Sequence, residues 1–76
     1  MNKIIAAKAR QQTLGHMKLA HRRIAKLRTF GTTSTQAGLD QYFTDLYGLT
    51  TNQWLAKVCR STYRTAKRNI AVEMQV

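Results

Sequence analysis

Proline is absent from this 76-residue chain, and glycine occurs only four times. Scaffolds built mainly from turns and loops draw heavily on both residues, so that class is excluded. A single cysteine, Cys59, excludes an intramolecular disulfide framework and fits a reducing compartment. No apolar run approaches the roughly 18 residues of a membrane span. The apolar start Ile4-Ile5-Ala6-Ala7 ends at Lys8, too soon for a secretory core. Scarcest of all is negative charge. Only Asp40, Asp45 and Glu73 oppose thirteen Lys and Arg residues, which leaves a formal charge of +10.

The cations that are present fall into two blocks. Eight lie in residues 3–28 and five in residues 57–68, with none between Arg28 and Lys57. So dense a field repels itself unless an anionic partner neutralises it. At this length the chain is one domain that buries only about 60% of its unfolded surface. Its core is therefore small, and homodimerisation or ordering on a partner are ordinary remedies. The acid-free N-terminus has the composition of a mitochondrial transit peptide, but it also carries apolar residues useful to a mature core. A cytoplasmic protein is the simpler expectation.

Hydrophobic spacing predicts an all-α domain of three helices. In the first, over residues 2–29, Met17, Ala20, Ile24 and Leu27 form one stripe, with Lys18, Arg22 and Lys26 roughly opposite. The stripe fades upstream, and Gly15 costs about 1 kcal/mol of helix propensity. Residues 1–13 could thus be a separate helix or an arm that orders on contact. Gly31 is a natural stop for this helix, and Thr33-x-x-Gln36 can form a capping box for the next. That second helix spans residues 34–47, with Leu39, Phe43, Leu46 and Tyr47 on its apolar face. Gly48 ends it, and Leu49 is placed for the apolar contact that accompanies such a stop. Thr50-x-x-Gln53 starts the third helix, residues 51–72, with a frayed tail beyond. At 100° per residue, Leu55, Val58, Cys59, Thr62, Ala66 and Ile70 gather on one side. Gln53, Lys57, Arg60, Arg64, Lys67 and Arg68 gather on the other. The Leu39/Phe43/Leu46 face is expected to pack on Met17, Ile24 and Leu27 and on Leu55, Val58 and Thr62.

The segment from Phe43 through Gly48 to Trp54 reads as helix, glycine turn, apolar residue, threonine cap and second helix. It resembles a helix-turn-helix DNA-binding unit over about twenty residues, which implies that the second of its helices enters the major groove. Thr44 departs from that pattern, which usually has a small apolar residue there. Trp54 and Lys57 fall where the pattern buries residues, whereas the periodicity of this helix buries Leu55 and Val58. Asn52 and Gln53 carry amides suited to adenine edges, and Lys57 or Arg60 could reach guanine or phosphate.

Charge extends this reading. No acid lies between Lys57 and Arg68 and none precedes Asp40, whereas solvated faces normally mix signs. The candidate nucleic-acid contacts are Asn52, Gln53, Lys57, Arg60, Arg64, Lys67 and Arg68, supplemented on the backbone by Lys18, Arg22 and Lys26. Neutralising about six to ten phosphates would make affinity fall roughly 10³–10⁵-fold between 50 and 200 mM salt. Tyr42, Phe43, Tyr47 and Trp54 sit at helical spacing and suit a core or a dimer seam better than base stacking, while Tyr63 borders the basic side.

Catalytic chemistry has no foothold. The three carboxylates form no evident acid/base pair, and no Ser/His/Asp set or phosphate-cradling glycine loop is present. His16 and His21 are five apart, the wrong step for one helical face, so neither a metal nor another cofactor is expected. Cys59 reads as a small core residue. The first helix has a narrow apolar face without Trp anchors, which argues against a membrane surface. The expected function is a small DNA-binding regulator, with DNA ranked ahead of RNA and a homodimer possible. The alternative is a small non-enzymatic effector or inhibitor that docks an acidic protein surface, or a protein–nucleic acid complex, through the same basic helices. Asn52 and Gln53 discriminate the two: if they are buried or engaged only in capping, base readout loses its best residues and the protein-docking reading gains.

Overall fold

The computed structural model describes residues 3–75, which form α1 (Lys3–Leu27), a 3-10 turn (Gly31–Ser34), α2 (Gln36–Tyr47) and α3 (Thr51–Met74). Among the described residues there is no strand, so the chain is a small all-α three-helix domain. Met1 and Val76 lie outside the described residues, as does the expected helix start at Asn2.

α1 runs unbroken from Lys3 through Gly15 to Leu27. The cost of that glycine is offset by tertiary contact, because Ala9 and Thr13 are buried on the same face as Met17, Ala20 and Ile24. Thr13 keeps its hydroxyl satisfied by donating 2.7 Å to the Ala9 carbonyl.

The connection after α1 differs from the sequence expectation. α1 stops at Leu27, and Gly31 opens the 3-10 turn with φ +29° instead of capping the helix. Thr33 is buried there, and its hydroxyl donates toward the carbonyls of Leu27 and Phe30. Committed to the end of α1, Thr33 cannot cap α2. Thr35 does so, its hydroxyl accepting the Gly38 N–H at 3.1 Å, and the helix starts two residues later than expected. Gly48 ends α2 in the left-handed region at φ 71°, with its N–H on the Thr44 carbonyl at 2.8 Å. Leu49 packs against the core as the glycine stop implies. The Thr50–Gln53 capping box is complete, with Thr50 accepting the Gln53 N–H and Gln53 accepting the Thr50 N–H. α3 then continues to Met74, two residues past its expected end.

Two clusters form the core. Met17, Ala20, Ile24, Leu39, Phe43 and Trp54 make the larger, with Leu27, Tyr42, Leu49, Leu55 and Val58 packed against it. Ala9, Ala66 and Ile70 make the smaller, with Ile5 and Tyr63. The start of α1 thus lies along the end of α3, and the two helices pair antiparallel. α2 covers only the Trp54 end of that pair.

Three residues expected on apolar faces are exposed, Cys59 on α3 and Leu46 and Tyr47 on α2, and on α3 the reason is geometric. The contact on α3 follows the row Trp54, Val58, Thr62, Ala66, Ile70, in steps of four. Such a row is inclined to the helix axis, so the buried side drifts around the helix along its length. Trp54 is therefore buried, Leu55 and Val58 are half-buried, and Cys59 is exposed. On α2 the buried pair is Leu39 and Phe43, and Leu46 is 53% exposed. Tyr47 lies largely outside as well, its ring 6.2 Å from that of Trp54.

Candidate nucleic-acid interface

Antiparallel pairing decides which cations meet. The first half of α1 runs beside the second half of α3, so Arg10 and Arg60 line opposite rims of one groove of about 360 Å³. Its floor is apolar, formed by Thr13, Leu14, Cys59 and Tyr63, and Leu14 is 70% exposed. Arg60, Tyr63, Arg64 and Lys67 line an adjoining depression, where the Lys67 ammonium lies 5.9 Å from the centre of the Tyr63 ring. Arg64 and Arg68 are exposed on the side of α3 turned from α1. Arg60, Arg64 and Arg68 are spaced four apart, so they form one row about 12 Å long. Beyond Glu73 at its far end, α3 contains no acid to pair with that row.

The first-helix residues do not join this surface. Lys18, Arg22 and Lys26 are all exposed, and at 100° per residue they face away from Met17, Ala20 and Ile24. They therefore point out on the side of α1 opposite α3, whereas Arg64 and Arg68 point out on the side of α3 opposite α1 and Arg60 stands at the rim of the groove it shares with Arg10. The molecule measures 49 × 21 × 16 Å, so its short dimensions separate the two rows. Arg10 is the cation of α1 that shares a groove with a cation of α3. Its omission from the sequence-based set follows from topology: nothing local in the sequence says that α1 and α3 run antiparallel in this register.

The start of α3 is built differently from a base-reading end. Asn52 is exposed, but the Gln53 side-chain amide oxygen Oε1 accepts the Thr50 N–H at 3.0 Å and is held in the cap. Asp40 reaches the same place from α2, accepting the Thr51 N–H at 3.0 Å and the Gln36 amide at 3.0 Å. Thr51 holds the Asp40 carboxyl below its ordinary range, aided by Gln36 and the charge of Arg28. The Thr51 hydroxyl itself makes no hydrogen bond, so we assign the effect chiefly to the N–H. A carboxylate at the positive end of α3 suits the helix dipole, and it opposes an incoming phosphate at that point. Lys57 is exposed beside this end, next to a recess shared with Tyr47, Leu49 and Trp54.

Arg23 is a second residue that the charge pattern alone does not distinguish. Its guanidinium lies 5.4 Å from the Trp54 ring and 5.6 Å from the rings of Phe43 and Tyr47. It also donates 2.8 Å to the Tyr47 hydroxyl. The hydroxyls of Tyr42 and Tyr47 raise its pKa above the ordinary value. Half-buried and engaged with three rings, Arg23 joins α1 to both α2 and α3 and is not part of the exposed basic rows.

Among the described residues no helix is long and apolar enough to cross a membrane. Comparison of the chain with protein families, curated proteins and solved structures finds no match.

Proposed function

We propose that the chain binds nucleic acid, duplex DNA ahead of RNA, by gripping the phosphate backbone with α3. The observation that carries this reading is the acid-free row Arg60, Arg64 and Arg68, extended sideways by Lys67 and, from α1, by Arg10. Phosphates are the densest regular anions such a row can meet, and backbone contact needs only exposed cations at helical spacing. The regulator with a base-reading third helix has less support. Gln53 is occupied in its cap and Asp40 stands at the helix start, which leaves Asn52 and Lys57 for that task. The role favoured is therefore a sequence-tolerant backbone binder, with regulation by DNA occupancy a finer possibility within it.

Fluorescence anisotropy with a short labelled duplex tests the reading. Five phosphate contacts predict a log–log salt slope of about −4.5. Replacing Arg60, Arg64 and Arg68 together with glutamine should lower that slope by about 2.7 while leaving the helical circular dichroism intact. Absence of salt-dependent binding to duplex DNA or structured RNA would sink the proposal.

One observation favours a second reading, docking on an acidic protein. The apolar floor of Leu14, Cys59 and Tyr63 between Arg10 and Arg60 is of no use to a phosphate backbone. A partner helix with apolar side chains and flanking carboxylates would fill it. Leu14→Ser would then weaken protein binding and leave DNA affinity unchanged.

A further inference from the structure

The two outward rows of cations lie on opposite sides of the α1–α3 pair. Lys18, Arg22 and Lys26 are exposed on one side and Arg64 and Arg68 on the other, with Arg60 at the edge where the α3 row meets the α1–α3 groove. We propose that one molecule holds two nucleic-acid duplexes at once, one against each row, and so bridges them. This rests on the nucleic-acid reading above and adds to it a second, independent site on α1.

Three physical arguments carry the inference. The first is electrostatic. The body between the rows is 16–21 Å across its short dimensions, about two Debye lengths at physiological salt. A duplex bound on one side therefore leaves the charge of the other row largely unneutralised and available. The second is mechanical. Duplex DNA has a persistence length of about 50 nm, so one short duplex cannot fold around a body this thin to reach both rows. The third concerns composition. α1 contains no Asp or Glu, so its row has no internal neutraliser and matches the chemistry of the α3 row. A second copy of this chain, itself at +10, is electrostatically the wrong occupant for either side.

The experiment uses the full chain with two 15-base-pair duplexes, one carrying a donor fluorophore and the other an acceptor. Anisotropy of either duplex alone reads binding, and energy transfer between them reads bridging. The expected result is binding at a limit of two duplexes per protein. Transfer should be maximal near that ratio and fall when protein is in excess. The triple variants Lys18→Gln/Arg22→Gln/Lys26→Gln and Arg60→Gln/Arg64→Gln/Arg68→Gln should each still bind one duplex in a salt-dependent way, and each should lose the transfer. Circular dichroism verifies that both variants fold. The single changes Arg22→Gln and Arg64→Gln should give graded losses of transfer without any fold defect. Binding without transfer at every ratio would overturn the bridging proposal and leave the single-site reading standing. Transfer that survives in either triple variant would also overturn it. Absence of binding would remove the nucleic-acid reading itself, and bridging with it.

Discussion

Gly15 and Gly38 both lie on helices, yet the same substitution should move the fold in opposite directions. A Cβ at Gly15 would meet nothing within 4 Å, so Gly15→Ala should stabilise the protein by about 1 kcal/mol through helix propensity. A Cβ at Gly38 would fall 1.5 Å from the Thr32 carbonyl oxygen, in backbone that cannot swing aside. Gly38→Ala should therefore destabilise by about 1–3 kcal/mol. Thermal melts of the two variants against the parent check both signs. Asp40 gives a prediction in pH. Its carboxyl is held below the ordinary 3.8, so it contributes stability that is fully present above the unfolded pKa and is lost as pH falls through the folded one. An acid titration should show that loss below about pH 3.8 in the parent. Asp40→Asn should remove this component of the acid transition, and an unchanged titration would contradict the role assigned to the carboxylate.

At the scale of elements, the turn between α2 and α3 is where local chemistry fully determines the outcome. Gly48 supplies the left-handed φ, Leu49 closes the apolar gap, and Thr50 with Gln53 caps α3. Each signal acts within five residues, and each was legible in the sequence. Thr50→Ala should cost about 1 kcal/mol in a urea melt, with the slope of the transition unchanged. The α1–α2 turn was less legible because Thr33 and Thr35 are chemically equivalent caps. What separates them is whether the end of α1 needs the Thr33 hydroxyl, which only the tertiary path reveals. The buried side of α3 was misread for a related reason. A fixed-angle projection suits a straight seam, whereas the contact here follows an inclined row that buries Trp54 and releases Cys59. The outward positions of Arg64 and Arg68 survive that drift because they follow the same step of four on the far side. Arg10 could not be read at all, since its place beside Arg60 depends on antiparallel pairing across fifty residues.

At the scale of the whole molecule, +10 on a body 49 Å long is the dominant fact. α1 and α3 are held together by a thin core of small residues at one end, Ala9 and Ala66, and by aromatic packing at the other. Self-repulsion opposes that pairing, so salt should stabilise the free protein. The melting temperature should rise between 20 and 200 mM salt, and less steeply in a variant with one basic row neutralised. The opposing trend in affinity is the most direct test of the central claim, that an α3 surface completed by Arg10 grips a phosphate backbone. The deciding measurement is duplex affinity as a function of salt for the parent and for Arg10→Gln, a residue that only the folded arrangement brings to this face. The account predicts a steep inverse dependence in the parent and a slope shallower by about 0.9 in the variant. A salt-independent affinity, or a slope in Arg10→Gln identical to that of the parent, would contradict it.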